Sequence, residues 1–303
     1  MTDTIAFIGL GAMGLPMASN LVRKGFPVIG FDLDRAKLDA LVAVGAKPAG
    51  SLADAVREAG IVITMLPAPP HVRSVMLGPD GVLAHLRTGG LVIDMSTIDP
   101  ATTDDVADAC RRKGQTFVDA PVGRLVSHAE RGESLFMVGA SDEGHARALP
   151  LLQAMGTTIL RCGPEGSGTR TKIVNNYLAI VGAQLTAEAL LLGTKLGLNV
   201  ATMRDVAGGT TATNGQLMIN FPSKVLKGDT APGFTIDLAH KDLMLALAAA
   251  SQQRLGLPVG QAAASALGAA RGSDYAGRDF SALLDYACEI AGVAPPRLSP
   301  QAS

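Results

Sequence analysis

Lys172, Asn175, Asn176 and Ala179 are spaced i, i+3, i+4, i+7, so on a helix they share one face. An ammonium, two amides and one small side chain make a poor core face and a good cleft floor. Hydride delivery to a carbonyl carbon builds negative charge on its oxygen. A nearby cationic acid stabilises that charge and can donate the proton. A lysine desolvated in a cleft has its pKa drawn toward neutrality, where it serves both reaction directions. Lys172 is therefore the candidate general acid/base. On these residues alone, a solvated surface lysine beside two locally bonded asparagines has equal standing.

A second group lies near the N-terminus. Gly9-Leu10-Gly11-Ala12-Met13-Gly14 reads Gly-X-Gly-X-X-Gly directly after the apolar run Ile5-Ala6-Phe7-Ile8. Gly9 permits a tight turn, Gly11 lets backbone approach a pyrophosphate, and Gly14 permits close helix–strand packing. The helix that follows offers unpaired N–H groups and a positive dipole end to the anion. Such a motif needs an acidic residue at the end of the second strand for the adenosine ribose, and Asp32 stands there. A carboxylate repels a 2′-phosphate, so NAD is the expected cofactor, although Arg35 leaves NADP open. The ends of the next strands carry Leu66, for the adenine or ribose side, and Thr97, for the nicotinamide. Taken singly, either is equally well plain loop.

Positioning these groups requires two different architectures. Short apolar strands (5–9, 28–32, 61–66, 91–95 and 116–119) alternate with helical stretches (13–24 and 34–44). The strands are continuous apolar runs, as in a parallel sheet covered on both faces. An α/β N-terminal Rossmann domain, doubly wound with a mainly parallel sheet, is expected over residues 1–163. From 164 to 296 the pattern turns helical, with stretches near 169–196, 237–254 and 259–270. An all-α C-terminal domain for substrate binding and oligomerisation is expected there, then a loose tail at 297–303.

Composition narrows the partners. The chain has 303 residues, a formal net charge of -1 and 4% aromatics. Near-neutrality removes a global electrostatic case for nucleic acid or an anionic membrane, and few aromatics argue against base stacking. The three cysteines, Cys110, Cys162 and Cys288, form neither a disulfide framework nor a zinc site. His71, His85, His128 and His145 lack metal or triad spacing, so no metal is expected. No signal pattern and no uninterrupted apolar run of about 18 residues is present, so a cytoplasmic protein is expected.

The segment from Gly9 to Met17 resembles the signature of the β-hydroxyacid dehydrogenases, which include 3-hydroxyisobutyrate dehydrogenases and tartronate semialdehyde reductases. The likeness continues through Met95-Ser96-Thr97, Asp119-Ala120-Pro121-Val122, Lys172-Ile173-Val174-Asn175-Asn176 and His240-Lys241-Asp242-Leu243, covering nearly the whole chain. It implies a Rossmann domain, a helical substrate domain with a cleft between them, and homo-oligomers, dimers or tetramers, packed through the helical domains. It also implies that Lys172 is catalytic and that Lys241 reaches the cofactor. By spacing alone, Lys241 equally suits an i,i+4 pair with Asp237. His240 reads as a structural hydrogen-bonding residue. Related imine reductases place an acid or a tyrosine at the Lys172 position, so lysine points to alcohol–carbonyl chemistry.

The pattern departs from the family at one place. Where the family has Ser-Gly-Gly after Asp-Ala-Pro-Val, this chain has Gly123-Arg124-Leu125. An arginine at the anion end suits a larger or stronger acid than one carboxylate, and Gly123 leaves room. This segment, with 168–177, 222–229 and 236–243, resembles the 3-sulfolactaldehyde reductase branch, which serves sulfoglycolysis. That likeness implies NAD(H)-dependent interconversion of 3-sulfolactaldehyde and 2,3-dihydroxypropane-1-sulfonate. Gly123, Arg124 and Leu125 would meet the sulfonate, and Asn175, Asn176, Tyr177, Leu178 and Ala179 would line the other wall. The branch is often polar where this chain has Ala179. The alternatives are succinic semialdehyde reduction (4-hydroxybutyrate dehydrogenase) and 3-hydroxyisobutyrate or tartronate semialdehyde chemistry. A non-catalytic dinucleotide sensor has no need of Lys172.

Overall fold

The computed structural model describes residues 3–299. Among the described residues, nine strands form one sheet: β1 (Ile5–Ile8), β2 (Val28–Phe31), β3 (Lys47–Pro48), β4 (Ile61–Thr64), β5 (Leu91–Asp94), β6 (Thr116–Asp119), β7 (Val122–Gly123), β8 (Ser134–Ala140) and β9 (Gly156–Gly163). Their order is β3-β2-β1-β4-β5-β6-β8-β7, with β9 on β8. β1 to β6 pair in parallel; β8 runs antiparallel to β6 and β7 and parallel to β9.

Why the strands lack alternation is visible in β1. Ile5 and Phe7 enter one apolar cluster with Met17 and Leu21 of the helix Gly14–Arg23. Ala6 and Ile8 enter a second cluster with Val56, Val72 and Met76. Both faces are covered, so both sets of side chains are apolar. Where β1 meets β4 the strand order reverses, which opens a crevice at the carboxyl ends.

The chain divides into two compact units between Ile173 and Val174. β9 ends at Gly163, where the domain boundary was expected. The division falls later because the long helix Ser167–Lys195 begins against β6, bound through Asp119 to Gly166 and Thr169. Among the described residues no strand follows Gly163. In the second unit, Ile180, Ala183, Ala187 and Leu190 of the long helix pack with Phe221, Leu243, Leu267 and Leu284. The loose tail expected from 297 is corrected at its start. Arg297 forms a two-pronged ion pair with Asp285 at 2.8 and 2.7 Å, and the Leu298 N–H donates to the Leu226 carbonyl. Residues 300–303 lie outside the described residues.

Candidate functional site

The glycine loop sits at the carboxyl end of β1, against β4. Gly9 has φ +94°, and a Cβ there would strike the Met65 carbonyl. A Cβ on Gly14 would strike the Gly9 carbonyl. Both glycines are thus demanded by the protein's own backbone. Gly11 differs, because nothing lies within 4 Å of the Cβ it lacks. No protein atom requires glycine there, whereas an external group pressed against the backbone would. Gly11 and Ala12 are exposed, Met13 provides no side-chain cap, and the first turn of the helix Gly14–Arg23 holds no acidic residue. The open N–H groups and dipole end therefore fit a dinucleotide pyrophosphate.

Asp32 follows β2. Its carboxylate accepts from Leu10 N–H at 2.6 Å and from Asp34 N–H at 2.8 Å. The acid assigned to the ribose is therefore braced by the glycine loop itself. Arg35 instead pairs with Asp39 at 2.9 Å. At the ends of β4 and β5, buried Asp94 accepts from Thr64 Oγ1 at 2.8 Å and Ser96 N–H at 3.1 Å. Ser96 Oγ accepts from Leu66 N–H at 2.9 Å. This chain of bonds ties Leu66 to Ser96, the residue before Thr97, across neighbouring strand ends. Burial raises the Asp94 pKa, and its hydrogen bonds to Ser96 and Thr64 partly oppose that rise.

Lys172 lies half-buried in the second turn of the long helix, and its Nζ donates to the Val122 carbonyl at 2.7 Å. Val122 opens the stretch that continues as Gly123, Arg124 and Leu125. Lys172 and the departing segment are therefore neighbours in the first unit. One expectation is corrected here. The room expected at Gly123 is filled: a side chain would meet Leu135 Cδ2 at 3.2 Å and Met137 Cε at 3.4 Å, both from β8. The Arg124 guanidinium donates to Glu133 O at 2.6 Å, Thr157 Oγ1 at 3.1 Å and Thr158 Oγ1 at 3.0 Å. Both threonines come from β9, which sequence periodicity did not reveal. Arg124 also holds φ +71°, a left-handed conformation costly for a residue with a Cβ. Among the described residues, no partner takes the N–H of Arg124 or of Leu125.

The second unit holds the remaining residues. Asn175 is exposed, and its amide lies 3.4 Å from Asn176 Oδ1. Buried Asn176 donates to Asp242 Oδ2 at 2.7 Å, and Lys241 Nζ pairs with Asp242 Oδ1 at 2.8 Å. Asp242 is thus the hub of this polar chain, a role that sequence reasoning missed. Its only signal was the Lys241-Asp242 step itself. Tyr177 packs toward Gly260, Leu178 is exposed, and the Ala179 carbonyl accepts from Gln216 Nε2 at 3.0 Å. Asp237 pairs with Arg271, which also lies 3.1 Å from His240 Nδ1. Burial and then the Arg271 charge lower the His240 pKa. Among the described residues, no group of three His, Cys, Asp or Glu could hold a metal ion.

A glycine loop at the switch point of a parallel sheet, an uncapped helix start and a braced ribose acid define a nicotinamide-dinucleotide oxidoreductase. Residues 4–163 match the model of the NAD binding domain of 6-phosphogluconate dehydrogenase. Residues 166–287 match the NAD-binding model of NADP-dependent 3-hydroxyisobutyrate dehydrogenase. The chain is 42% identical to an Escherichia coli 3-sulfolactaldehyde reductase, over 95% of this chain and 97% of that one. It is also 42% identical to a Pseudomonas aeruginosa 3-hydroxyisobutyrate dehydrogenase, over 93% and 97%. The Mycobacterium tuberculosis 3-hydroxyisobutyrate dehydrogenase structure with L-serine superposes with a TM-score of 0.87 at 36% identity, covering 95% of this chain and 99% of that one. The chain belongs to the 3-hydroxyisobutyrate dehydrogenase family, and is an NAD-dependent oxidoreductase acting on CH–OH groups.

Proposed function

We propose that this enzyme reduces 3-sulfolactaldehyde to 2,3-dihydroxypropane-1-sulfonate, reversibly, within sulfoglycolysis. The observation that carries the reading is the Gly123-Arg124-Leu125 turn in place of Ser-Gly-Gly, one residue beyond the carbonyl that holds Lys172. All three acceptors of the Arg124 guanidinium are neutral oxygens, while the Glu133 carboxylate pairs with Arg131 at 2.8 Å. The Arg124 charge is therefore not cancelled by its own partners. A sulfonate, ionised at every biological pH, fits a turn that offers this field and the N–H groups of Arg124 and Leu125. The likeness to the E. coli 3-sulfolactaldehyde reductase supports the same substrate.

Bound NADH supplies the hydride to the aldehyde carbon. Lys172 gives its Nζ proton to the aldehyde oxygen as that oxygen gains charge, and the Val122 carbonyl aims the ammonium. Asn175, Asn176, Tyr177, Leu178 and Ala179 are the residues of the second unit that we assign to substrate binding. Lys241, held by Asp242, serves the cofactor. In the reverse direction neutral Lys172 takes the alcohol proton.

Purified enzyme with NADH tests the substrate. Turnover should be far faster with 3-sulfolactaldehyde than with methylmalonate semialdehyde, and the opposite ranking removes the sulfonate. Succinic semialdehyde is the second substrate to assay, because Ala179 lacks the polar side chain common in the sulfonate branch. The compartment we assign is the cytoplasm, which suits the free thiols of Cys110, Cys162 and Cys288. We assign a homo-oligomer built through the helical unit. Its long helix exposes Leu178, Leu185 and Leu192, seven residues apart, on the face opposite its buried residues.

A further inference from the structure

Asp119 is 1% exposed, and both of its carboxylate oxygens are committed. Oδ1 accepts from Gly166 N–H at 2.6 Å, and Oδ2 accepts from Thr169 N–H at 2.7 Å. These N–H groups belong to the entry and first turn of the helix Ser167–Lys195, where a negative charge also answers the helix dipole. The approach is as close as backbone allows. A Cβ on Gly168 would strike the Met137 carbonyl and lie 2.7 Å from the Asp119 carbonyl, and one on Gly139 would strike Asp119 Oδ1. Thr169, 2% exposed, is held from a second side by Thr103 Oγ1 at 3.1 Å. Asp119 ends β6. Three residues later the same stretch presents the Val122 carbonyl to Lys172 Nζ. One short segment, 119–122, therefore grips the helix twice, at its start and at the lysine one turn further on.

We propose that Asp119 is a positioning residue for the reaction: its carboxylate sets the register of the helix start, and thereby the place of the Lys172 ammonium over the substrate carbonyl. The proposal rests on Lys172 being the proton donor. Proton transfer depends steeply on placement, and an error of about 1 Å costs about a hundredfold in rate. Asn in place of Asp keeps the volume but turns an NH2 group toward one of the two N–H donors, so one grip is lost.

The test compares four variants of the full-length enzyme by kcat, KM for NADH and thermal midpoint. Asp119→Asn should lower kcat about 10- to 100-fold and leave KM for NADH within about twofold, because the glycine loop on β1 does not depend on this grip. Gly168→Ala keeps the carboxylate but pushes the helix from its seat, and should show the same split. It carries the test if Asp119→Asn does not fold. Asp104→Ala removes the ion pair to Arg170 (2.7 Å) in the same turn, and leaves in place both Asp119 bonds and the Arg170 hydrogen bond to the Gly166 carbonyl. It should lower the thermal midpoint and keep kcat. Lys172→Ala is the reference. Wild-type kcat in Asp119→Asn or Gly168→Ala, with Lys172→Ala inactive, overturns the positioning role alone. An equal kcat loss in Asp104→Ala also overturns it, since helix stability would then suffice. An active Lys172→Ala overturns the proton-donor reading and this proposal with it.

Discussion

At Arg124 a residue with a long side chain occupies a left-handed backbone position where the family pattern has glycine. The strain, about 1–2 kcal/mol, is offset by three hydrogen bonds to neutral oxygens. Arg124→Gly should therefore fold well, yet raise KM for the sulfonated aldehyde at least about tenfold with KM for NADH unchanged. Equal KM values for the aldehyde would remove the Arg124 charge from substrate binding. Lys172→Ala should bind NADH normally and lose about 10²–10⁴ in kcat, and unchanged turnover refutes its role. Asp119 gives a pH effect of definite sign. Burial pushes its pKa from 3.8 up to about 6, so the folded state holds the proton more tightly than the unfolded state. Its contribution to stability is then fully present below about pH 4 and is lost as pH rises through about 6. Urea unfolding across that window should show a slope that Asp119→Asn flattens, and an unaltered slope would contradict the assignment.

At the scale of elements, legibility depended on the range of the interaction. The glycine loop was readable because the β1–helix turn makes a local backbone demand, visible within six residues from Gly9 to Gly14. The face carrying Lys172, Asn175 and Asn176 was readable from helical spacing. Asp119 and Asp242 were not readable as anchors, because their partners lie 47 to 66 residues away, at no period. β8 and β9 were missed for a related reason. β9 is half-exposed and lacks the pattern of the central strands, whereas β8 carries a similar apolar run, Leu135 to Val138, but joins β6 and β7 antiparallel. The Arg124 bonds to Thr157 and Thr158 went unread with them, since both threonines open β9. Asp32 ties two elements, β2 and the glycine loop, through Leu10. Asp32→Ala should thus raise KM for NADH about tenfold and also cost about 1 kcal/mol in stability, whereas a ribose contact alone would leave stability unchanged.

At the scale of the whole molecule, near-zero net charge conceals local asymmetry: the first unit carries Arg124 and Lys172, and the second Lys241. The helix Ser167–Lys195 is long and apolar enough by length and composition to cross a membrane. Its buried residues, Ile180, Ala183, Ala187 and Leu190, are instead packed in the core of the second unit. The leucines left outside, Leu185 at 60% and Leu192 at 61% exposed, suit a second copy of the chain. Leu185→Glu with Leu192→Glu should shift the light-scattering mass toward monomer, and an unchanged mass would place any interface elsewhere. The sheet bears on the same question. On one side it ends in β3, two exposed residues, Lys47 and Pro48. Proline offers no N–H, and two residues are too short to template a foreign strand. That margin is closed to cross-β growth, so a crowded, partly unfolded population of this enzyme has one fewer route into amyloid-like aggregates.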